Sequence, residues 1–150
     1  MASNERTIPA TPEQIWAVLG DAMCYDRWVV GAKDIRDADG TWPEPGSTLQ
    51  HTSGFGPLEL KDNTKVIESD PPRRIVLEAR GRPLGIAQIE ITLEPEGSGT
   101  KVTMVENAVR PVTAKMMNPA LDPLMHSRNV ETLRRLEEVT AEKAGANPGS

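Results

Sequence analysis

The chain has one cysteine, five aromatic residues among 150, no cluster of Lys and Arg, and no apolar run of membrane-spanning length. Each scarcity excludes something. Cys24 alone makes no internal disulfide and holds no structural zinc, so it reads as a small buried hydrophobe in a reducing compartment. Basic residues are outnumbered in both halves, with formal charges of −4 over residues 1–75 and −1 over residues 76–150. A chain of this balance lacks the positive face that a phosphate backbone or an anionic membrane surface requires, so neither nucleic acid nor stable membrane insertion is expected. The opening MASNERTIPA has neither the apolar run nor the basic flank of a signal peptide, and the expected location is the cytoplasm.

What is present fits one globular domain. Hydrophobic residues make up 37% of the chain and charged residues 26%, and a core poor in aromatics must be filled by Val, Ile, Leu, Met and Ala. Residues 1–143 are expected to form the domain, and the Gly, Asn and Pro of residues 144–150 a disordered tail.

A first strand is expected over residues 4–10. Thr11-Pro12-Glu13-Gln14 then carries the signals of a helix start: an N-cap Thr, a first-turn Pro and a Gln placed to close a capping box. Ile15, Trp16, Val18 and Leu19 supply its buried face. Gly20 ends it, and Asp21 caps a second short helix carrying Met23, Tyr25 and Trp28 up to Gly31.

Between Lys33 and Arg110 turn signals recur every 8 to 15 residues, and the stretches between them alternate with period two. Ile75, Leu77 and Ala79 alternate with Val76, Glu78 and Arg80, and Ala87, Ile89, Ile91 and Leu93 with polar partners. This is an antiparallel sheet covered on one face. Beyond Pro111 the apolar period lengthens, with Leu121, Leu124, Met125, Leu133 and Leu136 at helical spacing, and Asp122-Pro123 is a start signal. A helix of roughly 20 residues, rising about 1.5 Å per residue, is long enough to lie across the sheet.

Parity gives the face turned toward that helix: Leu49 and His51, Leu58 and Leu60, Ile75, Leu77 and Ala79, Ala87, Ile89 and Ile91, then Val102, Met104 and Glu106. His51 and Glu106 interrupt an apolar set, and Asn129 stands four residues from Met125 and from Leu133. These three are the candidates for orienting a ligand. Trp28 at the end of the second helix, Phe55 between Gly54 and Gly56, and Leu60, Leu77, Ile89, Met104 and Met125 are expected to surround it. Trp16 reads as core, and Trp42, in Gly40-Thr41-Trp42-Pro43, as a surface or lip residue. Met116 and Met117 read as core. If His51 and Glu106 faced one another in an apolar space, burial and pairing would tune them for proton transfer, and they are the only catalytic candidates.

The order strand, two short helices, six strands, long helix resembles the START-like (SRPBCC) superfamily, in the branch of polyketide cyclases/dehydrases and lipid-transport proteins. The residues that carry the resemblance are Arg6 through Trp16, then Asp21, Tyr25, Arg27-Trp28 and Gly31, then Gly46, Asp70-Pro71-Pro72-Arg73-Arg74, Gly99-Thr100, and Arg128-Asn129 ahead of Leu133-Arg134-Arg135-Leu136. The resemblance implies an α+β helix-grip (START/Bet v 1-like) fold: a seven-stranded antiparallel sheet, two short helices, and a long C-terminal helix over a hydrophobic cavity. It implies no particular reaction. The leading expectation is binding or carriage of a small hydrophobic molecule such as a polyketide, lipid or isoprenoid. The alternatives are a cyclase/aromatase-type enzyme using His51 or Glu106, and an interaction module with a vestigial cavity. No cofactor and no metal are expected, because there is no phosphate-binding glycine loop and no ligand-spaced His/Cys set.

Overall fold

In a computed structural model the described residues are 2–55, 58–81, 85–111 and 122–146. Strand β1 (Ala2–Ile8) leads into helix α1 (Pro12–Leu19), a 3-10 turn (Ala22–Cys24) and the one-turn helix α2 (Tyr25–Trp28). Six strands follow: β2 (Ala32–Ala38), β3 (Thr48–Phe55), β4 (Leu58–Asp70), β5 (Arg74–Gly81), β6 (Gly85–Glu96) and β7 (Gly99–Pro111). Helix α3 (Asp122–Ala146) is the last element among the described residues. The strands form one antiparallel sheet in the order β1-β7-β6-β5-β4-β3-β2, so the N-terminal strand pairs with the last one.

The local signals act as their chemistry dictates. Thr11 Oγ1 accepts from the Gln14 amide at 3.1 Å, and the Gln14 side chain accepts from the Thr11 amide at 2.9 Å, completing the capping box. The second helix is shorter than its sequence suggests. Asp21 caps the 3-10 turn by accepting from the Met23 amide, and only Tyr25–Trp28 is α-helical. Met23 is 62% exposed, since the tighter turn rotates it away while Cys24, Tyr25 and Trp28 stay buried. In the β6–β7 hairpin Gly97 takes a φ of +60°. Gly99 allows close backbone approach, because a Cβ there would stand 2.6 Å from the Ile8 carbonyl oxygen.

The core lies between the concave face of the sheet and the helices. Ile8, Leu49, Val66, Ile75, Leu77, Ile91 and Val102 come from the strands, and Ile15, Val18, Leu133 and Leu136 from α1 and α3. The buried stripe of α3, Asn129, Thr132, Leu133, Leu136, Val139 and Thr140, repeats every three to four residues, as a one-faced helix requires. Its backbone runs nearest to β1, α1 and α2. Arg6 donates to Glu137 at 3.0 Å and Lys143 to Asp21 at 2.9 Å, pinning the helix to β1 and to the first helical segment. The Lys143 ammonium is the largest influence holding the Asp21 carboxyl below its ordinary range.

Trp42, which its Gly- and Pro-rich surroundings mark as a surface or lip residue, is not exposed. It is buried, its indole N–H donates to the Leu19 carbonyl at 3.2 Å, and its ring meets that of Tyr25 edge-on. A carbonyl at the end of α1 has no intrahelical donor, and the indole supplies one.

Candidate functional site

Strand pairing explains how polar residues reach an apolar wall. In β3, Leu49 and His51 point inward, opposite Thr64 and Asp62 of β4. Leu77 of β5 is opposite Val66 on one side and Ile89 of β6 on the other. Ile89 then faces Glu106 of β7, and Ile91 faces Met104. Leu77, Ile89, Met104, His51, Glu106 and Asn129 are all buried on this side. Trp28 is buried beside them, edge-on to Tyr25 with ring centroids 5.6 Å apart. The side chains of Phe55, Leu60 and Met125, along with Met116 and Met117, lie outside the described residues.

The polar groups form two clusters. At the β7 end, Arg128 Nη2 donates to both Glu106 oxygens, at 2.6 and 2.5 Å, and Asn129 Nδ2 donates to Glu106 Oε1 at 3.1 Å. Consecutive residues at the start of α3 thus clamp one carboxylate. The carboxylate is almost wholly buried, whereas the Arg128 side chain keeps about a third of its surface in solvent. Close by, Asn4 of β1 is paired in register with Met104 and its side-chain amide lies 2.8 Å from His126 Nδ1.

At the β3–β4 end the hydroxyl of Thr64 joins two rings, standing 2.8 Å from the Tyr25 hydroxyl and 3.1 Å from His51 Nε2. The rings of Tyr25 and His51 are tilted, with centroids 5.3 Å apart. Burial lowers the pKa of His51, opposed in part by the charge of Asp62 and by a hydrogen bond with the Thr52 backbone. Burial likewise pushes the Tyr25 hydroxyl up to about 12. Both groups are therefore held neutral near pH 7. Arg36 donates to the backbone carbonyls of His51 and Asp62, fixing the two strands at this point.

His51 bonds Thr64, whereas Glu106 bonds Arg128 and Asn129. Four strand spacings, each about 4.8 Å, separate β3 from β7 along the sheet. The ring of Tyr25 packs against that of His51. Its hydroxyl bonds Thr64 while it also feels the charges of Arg128 and Glu106.

Sequence reasoning did not select Thr64, Asp62, Tyr25 or Arg128 as site residues. The β4 pair had a usable signal, because carrying the parity of Leu58 and Leu60 forward gives Asp62, Thr64 and Val66. Arg128 had none of that kind, since it reaches inward by the length of its side chain from a position next to Asn129.

A separate cleft of about 320 Å³ on the outer side is lined by Arg27, Arg134, Arg135, Glu138, Val139 and Glu142. Its charges neutralise one another: Arg27 pairs with Glu142, Arg134 with Glu131 and Glu138, and Arg135 with Glu131.

Among the described residues no helix is long and apolar enough to cross a membrane. The architecture recurs in solved structures of low sequence identity. A protein from Rhodobacter sphaeroides is 20% identical with a TM-score of 0.73, covering 93% of this chain and 91% of that one. The protein TTHA0849 from Thermus thermophilus is 17% identical with a TM-score of 0.70, covering 95% and 98%. Ara h 8.0201 is 13% identical with a TM-score of 0.66, covering 93% and 96%. These likenesses show the fold. Among curated proteins none matches the sequence. The family model described as polyketide cyclase / dehydrase and lipid transport matches residues 2–140. With the helix-grip topology and that match over nearly its whole length, the chain belongs to this family of the START-like superfamily.

Proposed function

We propose that this protein binds and carries a small, largely apolar molecule of polyketide, lipid or isoprenoid type between the concave face of the sheet and α3. The observation that carries the reading is the Glu106–Arg128–Asn129 cluster, an ionic group set into a wall otherwise built from Leu77, Ile89, Ile91 and Met104. Burying a carboxylate is costly even when it is paired, and an apolar replacement would commonly serve the fold as well. A polar group fixed at one end of an apolar space gives a ligand one orientation. Apolar contact, at roughly 25 cal/mol per Å² buried before ordering costs, supplies the affinity. Trp28 and the Tyr25–Thr64–His51 group supply a second polar and aromatic part of the lining.

The contacts favour carriage over cyclase-type proton transfer. Both Glu106 oxygens accept from Arg128, and His51 is engaged with Thr64 and the Thr52 backbone. A general base must instead direct a lone pair at the substrate.

Native mass spectrometry followed by organic extraction, together with equilibrium dialysis against the apolar probe 2-methoxynaphthalene, tests the reading. The expected result is a retained apolar molecule, or saturable uptake of one probe per chain once the protein has been stripped. A bare chain that takes up no probe would overturn it.

A further inference from the structure

The Glu106 carboxylate does more than anchor Arg128, because it also fixes which way the Asn129 amide points. A carboxylate with both oxygens accepting from Arg128 has only acceptor capacity to offer, so the group that Asn129 turns toward it must be the NH₂. The side-chain oxygen is then directed away from Glu106. Asn129 is fully buried, and among the described residues Oδ1 has no hydrogen-bond partner. Among the described residues the side-chain oxygen of Asn4, in the same corner between β1, β7 and α3, is likewise buried without a partner. A buried acceptor lacking a donor is destabilising, and native proteins rarely leave one unmet.

We propose that the bound molecule supplies the missing donor, and that the ligand class is an apolar molecule carrying a hydroxyl group whose proton goes to Asn129 Oδ1. This rests on the binding reading above and narrows it. Glu106 and Arg128 are the positioning residues that hold the amide in place, and Asn129 is the residue that discriminates. A ketone, an ether or a plain hydrocarbon of the same shape brings no donor and leaves the oxygen unmet.

The test is a matched pair of probes, 2-naphthol and 2-methoxynaphthalene. They share the same rings and the same oxygen position, but only the first carries a proton to donate. By equilibrium dialysis, the intact protein is expected to bind 2-naphthol at least about tenfold more tightly, the scale of one net hydrogen bond to a buried acceptor. Asn129→Leu is expected to bind both probes and to lose that preference. Equal affinities in the intact protein, or tighter binding of the ether, would overturn the proposal while leaving hydrophobic binding in place; a buried water meeting Oδ1 would give this result. Persistence of the preference in Asn129→Leu would overturn it too. Uptake of neither probe would overturn the binding reading and this proposal with it. Should Asn129→Leu fail to fold, the comparison in the intact protein still decides.

Discussion

Arg128 Nη2 sits 2.6 and 2.5 Å from the two carboxylate oxygens of Glu106, joining the start of α3 to the inner face of β7. The partners differ in exposure, 35% for the Arg128 side chain and 4% for that of Glu106. Losing the arginine therefore leaves a buried charge, whereas losing the carboxylate leaves a cation with access to water. Arg128→Leu is expected to cost about 2 to 3 kcal/mol, below the range for fully buried pairs because Arg128 is partly solvated. Glu106→Gln should cost less, and Glu106→Leu combined with Arg128→Leu less than the sum of the two single changes. Urea unfolding of these variants measures this. Strict additivity would contradict it.

The Thr64 hydroxyl bridges Tyr25 and His51, and replacing Thr64 by a residue of the same shape isolates that role. Thr64→Val keeps the volume and removes the hydroxyl, leaving two buried rings each short of one partner. A loss of about 1 to 3 kcal/mol is expected, with Thr64→Ser close to the parent. Tyr25→Phe placed on Thr64→Val should add little, since the hydroxyl it removes has already lost its partner. Denaturant midpoints at constant slope test both expectations.

His51 gives the fold a pH dependence of defined sign. Its folded pKa lies below the unfolded value of about 6.5, so the unfolded chain takes up a proton more readily. Its contribution to stability is present above about pH 6.5 and is lost as the pH falls from there through the lowered folded value. The same measurement on His51→Asn should show a flatter dependence between about pH 7 and pH 5. Equal slopes in the two proteins would show that the ring titrates alike in both states.

Much of the architecture is legible in the chain because its signals are local. Thr11 and Gln14 cap α1 by themselves, and alternation in Ile75 through Ala79 and Ala87 through Leu93 sets the inward face of β5 and β6 without knowledge of their neighbours. The inward placement of His51 and Glu106 follows from the same parity. The rest depends on pairing across the fold. The inward parity of Asp62 and Thr64 is legible from Leu58 and Leu60, but which residues stand opposite them, His51 and Leu49, is set only by the pairing of β3 with β4. The burial of Trp42 depends on a carbonyl 23 residues earlier, and the fit of Tyr25 on a hydroxyl 39 residues later. Such contacts leave no period in the sequence.

The central claim is that a small apolar molecule occupies the space between the sheet and α3, and methyl-detected NMR during titration with 2-naphthol tests it most directly. The account predicts saturable shifts, at one probe per chain, in the methyl groups of Leu77, Ile89 and Met104, with the exposed methyls of Ile67 and Val130 unmoved. Shifts that do not saturate, or that are confined to Ile67 and Val130, would contradict it.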